Sequence, residues 1–131
     1  MKKTYLIFFF FLLSVLVYPQ ISNKDNSSQS INDLLVYFSS DFTVSQWYNI
    51  PYHTLNAVHG CLVFLNGHRI ELYKYNLMDP EQNSIVENAK KTGTIEYSGI
   101  TIPAFVNGSF ILLSYEDHPE RKKVIDMFYN F

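Results

Sequence analysis

Residues 34–51, LLVYFSSDFTVSQWYNIP, decide which fold the sequence predicts. The apolar run at 34–38 suits a short buried strand. A helical stripe is equally compatible with four apolar positions, so periodicity alone leaves the choice open: Ile31, Leu34, Leu35 and Phe38. The segment 45–58 has the length of a helix, which Pro51 would kink by removing one backbone hydrogen bond. We therefore predict a strand that leads into a kinked helix.

Beyond this stretch, apolar runs alternate with turn and helix signals. Asn66-Gly67 lies between CLVFL and RIELYKY and predicts a hairpin. Asn107-Gly108, between GITIPAFV and SFILLSY, predicts a second one. A helix is predicted at 80–91, because proline and an acid open the segment and two lysines and a glycine close it. The last helix is predicted at 119–128.

Taken in order, these elements predict a small α/β or α+β domain with a central sheet. A second architecture stays open beside it. Residues 62–88 and 102–128 share one layout, in which two apolar strands flank Asn-Gly and Pro-Glu opens a helix. This layout is typical of an α+β fold built by duplication of a ββα unit.

Length, composition and charge limit the classes of function. With 131 residues, 47% of them apolar, the chain predicts one domain with a substantial core. Its formal net charge is −2 and becomes about −4 without the first residues. Nucleic-acid binding is therefore not expected.

The N-terminus carries a targeting signal. Lys2 and Lys3 precede an apolar run at 5–18 that is typical of a secretory signal peptide and shorter than the ~20 residues needed to cross a bilayer. No small-residue cleavage site follows it, so an uncleaved N-terminal anchor stays open for residues 1–20. Residues 21–31 predict a flexible polar linker, followed by the folded domain at 32–131. We expect an exported protein, periplasmic or extracellular, with no other membrane contact.

The order of elements and several local features resemble the thioredoxin fold. LLVYFSSDF resembles the first core strand and the aromatic residue that precede the Cys-x-x-Cys motif of that family, and residues 43–46, Thr-Val-Ser-Gln, stand at the motif position. Pro51 matches the proline that kinks the first helix. GITIPAFVNGSFI resembles the segment whose proline is cis in the family. The likeness spans residues 33–131 and implies an α/β domain with a central mixed sheet of about four strands flanked by helices.

The missing cysteines decide what such a domain could do. Thiol exchange needs a thiolate and a second cysteine that resolves the mixed disulfide, and neither stands at 43–46. Thr43 or Ser45 is better explained as a helix cap than as a catalytic hydroxyl. The only cysteine, Cys61, permits no internal disulfide and is expected to be buried. We therefore expect no catalytic residue and no cofactor, and the spacing of the histidines predicts no metal site.

The resemblance also implies a peptide groove, formed by the helix N-terminus and the loop that carries the cis-proline. Six residues would line it: Phe42, Thr43, Gln46, Trp47, Ile102 and Pro103. The sequence thus predicts an exported, redox-inactive, thioredoxin-like domain that binds a polypeptide or supports an envelope process. Two alternatives stay open: a small secreted enzyme, either a single-cysteine oxidoreductase using Cys61 or a hydrolase, and a structural or inhibitory ββα-repeat module.

Overall fold

The structure is a computed structural model, and it describes residues 25–131. The predicted signal peptide or anchor at 1–20 and the start of the predicted linker lie outside the described residues. Three helices are present in the described part: α1 (Ile31–Phe38), α2 (Pro80–Thr92) and α3 (Arg121–Asn130). None of these helices has the length and apolar character needed to cross a membrane.

Seven strands accompany the helices in the described chain. In order they are β1 (Val44–Asn49), β2 (His59–Leu65), β3 (His68–Lys74), β4 (Thr94–Tyr97), β5 (Ile100–Pro103), β6 (Phe105–Asn107) and β7 (Phe110–Leu113). Five of them form one sheet in the order β1-β2-β3-β7-β6, and every neighbouring pair in it is antiparallel. Strands β4 and β5 form a separate hairpin. The domain therefore belongs to the general α+β class.

The strand predicted at 34–38 is wrong, because this segment is the second half of helix α1. Ser30 caps the helix: its hydroxyl accepts the Asp33 N–H at 3.2 Å, and the Asp33 carboxylate accepts the Ser30 N–H at 2.7 Å. Such a reciprocal pair satisfies two backbone donors that the first helical turn leaves open. The four apolar positions of the helical stripe are all buried. Burial of that face and the cap together stabilise the helix over a strand.

The helix predicted at 45–58 is also wrong. Residues 44–49 form strand β1, which pairs with β2, and a short 3₁₀ helix follows at Tyr52–Leu55. A helix through Pro51 would lose a backbone hydrogen bond and crowd the preceding turn. In the structure Pro51 lies between the two elements, where its fixed φ of −64° costs nothing.

The first predicted hairpin and the helix predicted at 80–91 are confirmed. Asn66 and Gly67 connect β2 to β3 with φ values of 51° and 80°, as the predicted turn requires. The Asp79 carboxylate accepts the N–H groups of Glu81 and Gln82 at the start of α2. Gly93 ends the helix in the left-handed region with φ 68°. Each of these features depends on residues that are neighbours in sequence.

The second hairpin is confirmed in part. Strands β6 and β7 pair across Gly108 and Ser109, but GITIPAFV is not one strand, because it divides at Ala104 into β5 and β6. Strand β5 pairs instead with β4 across a Ser98-Gly99 turn, and this hairpin was not predicted. The cis-proline expected at Pro103 is also wrong, since the described chain contains no cis peptide bond.

The central sheet is antiparallel and five-stranded, and it is not the mixed sheet of about four strands that was expected. Antiparallel pairing follows from its construction out of two hairpins and an added edge strand. The two Asn-Gly hairpins pair with each other through β3 and β7, as the ββα duplication predicts. Their helices cover opposite faces, however, because α2 and α3 pack in different core clusters. Membership in the thioredoxin family stays a prediction.

The chain before α1 is held against the sheet by contacts that we call the N-terminal clip, formed by Asn26, Lys74 and Ser109. Asn26 lies in the predicted flexible linker, yet it is only 1% exposed. Its Oδ1 accepts the Ser109 N–H at 2.9 Å and the Ser109 hydroxyl at 3.0 Å, while its Nδ2 donates to the Asn107 carbonyl. The Lys74 ammonium donates to the carbonyls of Asn26 and Ser27.

Helices and loops cover the two faces of the five-stranded sheet unequally. On one face, α1 and α3 bury the larger cluster, which includes Ile70 and Leu72 of β3. On the other face, α2, the 3₁₀ helix and the β4–β5 hairpin bury Tyr73 and Ile111. The second cover extends over only part of the sheet, since Leu62 and Phe64 of β2 belong to neither cluster.

Candidate functional site

The uncovered part of the second sheet face is a candidate functional site, and we call it the open face. In an antiparallel sheet, paired residues share a face and successive residues alternate between faces. Ile70 and Leu72 point into the α1–α3 cluster, so the side chains between and before them point the other way. The register then places six residues on the open face: Ser45, Tyr48, Leu62, Phe64, Arg69 and Glu71.

The centre of the open face is apolar and its far side is charged. Tyr48 is 54% exposed, and Leu62 and Phe64 are half-buried. Arg69 pairs with Phe64 in the next strand, and Glu71 pairs with Leu62. Aromatic and aliphatic side chains bordered by charges are typical of surfaces that bind other molecules.

A bulge in β1 determines which side chains reach the open face. Ser45 pairs with Phe64 and Tyr48 pairs with Leu62, so Gln46 and Trp47 together stand opposite Val63. Gln46 has a φ of 49°, the left-handed conformation found at the first position of one bulge type. The extra residue keeps Tyr48 on the same face as Ser45. It also leaves Trp47 at the edge of the sheet with 59% of its surface exposed.

The outer edge of β1 has no partner strand within the described chain. At its two ends, the Thr43 carbonyl accepts the Asn66 N–H and the Ile50 N–H donates to the Gly60 carbonyl, so both residues bond toward β2. Alternation along an antiparallel strand then turns the backbone groups of Val44 and Asn49 outward. Strand β1 thus presents backbone donors and acceptors beside two exposed aromatic rings.

A second concave region, the polar cavity, lies at the charged side of the open face. It has a volume of about 230 Å³ and lies where β3 begins and β7 ends. Six polar side chains line it: His68, Arg69, Ser114, Glu116, Asp117 and His118.

His118 forms a fixed wall of the polar cavity. It is 3% exposed, and both ring nitrogens are engaged: Nε2 donates to the Leu65 carbonyl and Nδ1 accepts the Glu120 N–H, each at 3.0 Å. These bonds define a neutral ring with its proton on Nε2. They also connect the end of β2 to the start of α3. His118 therefore has a structural role, because both of its ring nitrogens are engaged by the main chain.

Ser114 is held in an unusual backbone conformation, with φ 58° directly after β7. Leu112 packs with α1 and α3, and Leu113 packs on the opposite face. Regular alternation would therefore turn the Ser114 side chain back toward the α1–α3 cluster. Instead, the left-handed residue lets its hydroxyl donate to Glu71 at 2.5 Å. The next residue, Tyr115, then packs in the α1–α3 cluster. A strained non-glycine residue at a cavity is a reason to look for function there.

The charges that line the polar cavity are not paired with one another. Lys90 and Glu87 form the only salt bridge among residues 25–131, and they lie on α2. The Arg69 guanidinium thus has no carboxylate partner in the described chain, although Glu116 and Asp117 line the same cavity. Opposite charges are present in one cavity without neutralising each other.

The six residues of the predicted peptide groove are not brought together. Phe42 is buried in the core at 4% exposure, and the Thr43 N–H donates to the Asn66 side chain and caps no helix. Gln46 and Trp47 lie together on β1. Ile102 and Pro103 lie on β5, which leads directly into β6 at the opposite edge of the sheet. Four strand spacings, about 19 Å, separate these two edges.

The enzymatic alternatives would use Cys61 or a hydroxyl activated by a histidine. Cys61 is 1% exposed, and burial raises the pKa of its thiol, the opposite of what a nucleophilic cysteine needs. The His59 ring nitrogen Nε2 contacts the Asn49 side chain, and in residues 25–131 no histidine bonds to a serine or threonine hydroxyl. The described part of the chain also contains no group of three residues that could hold a metal ion.

The sequence pointed to Trp47 and Gln46, which lie at the edge beside the open face, and to none of the residues of the open face as a binding surface. The alternation of half-buried Leu62 and Phe64 with Cys61, Val63 and Leu65 was visible as a strand, but only the covering elements show which side stays open. Ser114 gave no signal, because serine is not typical of a left-handed position. The chain matches no protein-family model, no curated protein and no solved structure.

Proposed function

We propose that this protein binds an extended polypeptide segment along β1 and across the open face, without thiol chemistry. The observation that carries the proposal is the edge strand itself. An unpaired strand edge stands beside Trp47 and Tyr48, at 59% and 54% exposure, while the neighbouring sheet face is uncovered.

Backbone pairing would supply the affinity. An added strand takes up the outward N–H and C=O groups of the edge, and its alternate side chains fall on the two faces. On one face they meet Tyr48 and Leu62, and at the bulge they meet Trp47. The bulge interrupts the edge at Gln46, so we expect a short segment rather than a long continuous strand.

Two aromatic side chains give this surface the composition of a binding hot spot. Tryptophan and tyrosine are enriched at residues that dominate binding energy, because they bury a large area at a small entropy cost.

The absence of thiol chemistry is supported by the residues at 43–46 and by the burial of Cys61. We propose export on the basis of Lys2, Lys3 and the apolar run at 5–18. Membership in the thioredoxin family is not required for binding at the open face. Incubation of the purified protein with insulin and a reductant is expected to give background turnover, and any faster reduction would contradict a redox-inactive protein.

The binding proposal can be tested with a random-peptide display library selected against the purified protein. Enriched peptides, synthesised with a fluorophore, are expected to bind with saturation in anisotropy titrations. Because Trp47 is the only tryptophan in the chain, the same peptides should shift its emission. Substitution Trp47→Ala or Tyr48→Ala should raise the Kd about tenfold or more.

Val36→Ala is the matched control. Val36 is 71% exposed on α1, which covers the other face of the sheet, so this substitution should leave the Kd unchanged. Failure of any peptide to enrich would refute the proposal. Equal binding by the wild-type protein, the Trp47→Ala variant and the Tyr48→Ala variant would refute it as well.

A further inference from the structure

We propose that the polar cavity binds a free α-amino acid, with Arg69 holding its carboxylate and Glu116 and Asp117 facing its ammonium group. This site shares Arg69 with the open face but lies away from the β1 edge, and it does not depend on polypeptide binding there. The ligand class follows from the charges, the size and the fixed walls of the cavity.

The charges select a molecule that carries both signs. A guanidinium group offers five N–H donors in a planar fork that matches a carboxylate. Arg69 has no carboxylate partner within the described residues, so this capacity is unused. The side chains of Glu116 and Asp117 likewise accept no hydrogen bond in residues 25–131, since only the Glu116 main-chain carbonyl accepts, from Arg121.

Ligands of a single charge fit this arrangement less well. A simple anion would be attracted to Arg69 and repelled by the two carboxylates that share the cavity. A simple amine would meet the carboxylates and be repelled by the guanidinium. A zwitterion with its charges a few ångströms apart places each charge against its opposite.

The size of the cavity agrees with this class. A volume of about 230 Å³ corresponds to roughly eight water molecules at the ~30 Å³ that each occupies in the liquid. This space is large enough for one amino acid. Small polar side chains are favoured, because His68 and the Ser114 hydroxyl also line the cavity.

The walls are fixed before any ligand arrives. Both nitrogens of His118 are bonded to the main chain, and the Ser114 hydroxyl is held by Glu71. The Ser114 oxygen keeps a lone pair that can accept from the ammonium group of a ligand. A site held in place by such bonds loses little entropy on binding.

The test is a nuclear magnetic resonance titration of ¹⁵N-labelled protein with the proteinogenic amino acids, tested singly. At least one of them is expected to shift, with saturation, the amide signals of His68, Arg69 and Ser114 while the Trp47 signal stays in place. The N-acetyl derivative and the amide of that amino acid each lack one charge. Both should bind about tenfold more weakly or worse, as expected for the loss of a charged hydrogen bond.

Arg69→Gln should weaken binding of the same amino acid about tenfold or more, by the loss of the same charge-assisted contact. Lys122→Gln removes one positive charge from α3, outside the cavity lining, and should leave the affinity unchanged. Absence of saturable shifts with every amino acid would overturn the proposal. Equal binding of the N-acetyl derivative or the amide would overturn the assignment of a zwitterion, and neither result would affect the peptide titrations at β1.

Discussion

Replacement of Asn26 by alanine is expected to destabilise the whole domain, although Asn26 lies before the first helix. Its side chain makes three hydrogen bonds to the β6–β7 turn, two through Oδ1 and one through Nδ2. The bonded groups are themselves buried: Asn107 and Ser109 are each 0% exposed. Alanine would leave the Ser109 N–H and the Asn107 carbonyl without these partners.

The magnitude follows from the cost of unsatisfied buried groups. Each costs about 1–3 kcal/mol, and water that enters the vacated space recovers part of the loss, so we expect a total of about 2–4 kcal/mol. The Lys74 contacts to the carbonyls of Asn26 and Ser27 involve the main chain and can persist. The loss of unfolding free energy should therefore be smaller than the combined contribution of all hydrogen bonds in the N-terminal clip.

Urea denaturation followed by circular dichroism measures this change as a lower midpoint at constant slope. At about 4 °C per kcal/mol for a domain of this size, thermal unfolding should shift down by about 8–16 °C. Ser28→Ala is the control, because Ser28 is exposed and lies on the same segment. A difference between the two variants of less than about 0.5 kcal/mol, the ordinary range for surface substitutions, would refute docking of this segment.

Gly108 offers an independent test of the same contact. A Cβ at this position would overlap the Asn26 Oδ1, and the φ of 57° adds backbone strain. Gly108→Ala alone should therefore be strongly destabilising. In the double variant with Asn26→Ala the steric part disappears, so the two changes should cost less together than their sum. If the unfolding free-energy changes of the two single variants add up to that of the double variant, the two residues are not in contact.

Four further outcomes are expected. Cys61 should react with a thiol reagent in urea and not in the native protein, because it is 1% exposed and burial raises its pKa; rapid native labelling would contradict its place in the core. Gln46→Gly should leave stability unchanged or raise it by up to about 1 kcal/mol, whereas Gln46→Val should lower it, since φ is 49°; equal urea midpoints would argue against the bulge. His118→Leu should cost about 2–3 kcal/mol by orphaning the Leu65 carbonyl and the Glu120 N–H, compared in urea with exposed His53→Leu. Burial raises the pKa of Tyr129 to about 12, above the value of about 10 in the unfolded chain. The stabilising contribution of this phenol is therefore complete below pH 10 and is lost as the pH rises through about 12. Between these pH values the free energy of unfolding of the Tyr129→Phe variant should fall less steeply with pH than that of the wild-type protein, as measured by urea denaturation.

Elements with signals close in sequence could be predicted, and elements that depend on distant contacts could not. The proline and acid at the start of α2, the stop at Gly93 and the Asn66-Gly67 turn each depend on adjacent residues, and all were recognised. The cap at Asp79 was not predicted, although it also lies next to the helix that it starts. The apolar run at 34–38 fitted both a strand and a helix. Its capping partner, Ser30, lay in a stretch interpreted as linker, although Ser30 and Asp33 together are typical of a helix start.

Strand β1 and the open face needed information that the sequence does not carry locally. The segment Val44–Asn49 becomes a strand by pairing with β2, whose paired residues lie 12 to 21 positions away. Leu62 and Phe64 are accessible only because α2 and the β4–β5 hairpin stop short of them. The conformation of Ser114 follows from the requirement that Tyr115 return to the core, which no propensity scale registers.

The position of the N-terminal clip has a practical consequence for immobilising the molecule. Asn26 is held at the β6–β7 turn, and β6 is the sheet edge opposite β1. A bead, dye or surface coupled at residue 25 would therefore be attached near the β6 edge, on the far side of the sheet from Trp47. Coupling there should leave the aromatic edge pointing away from the support and accessible to large reagents, whereas a lysine-directed linkage would give mixed orientations.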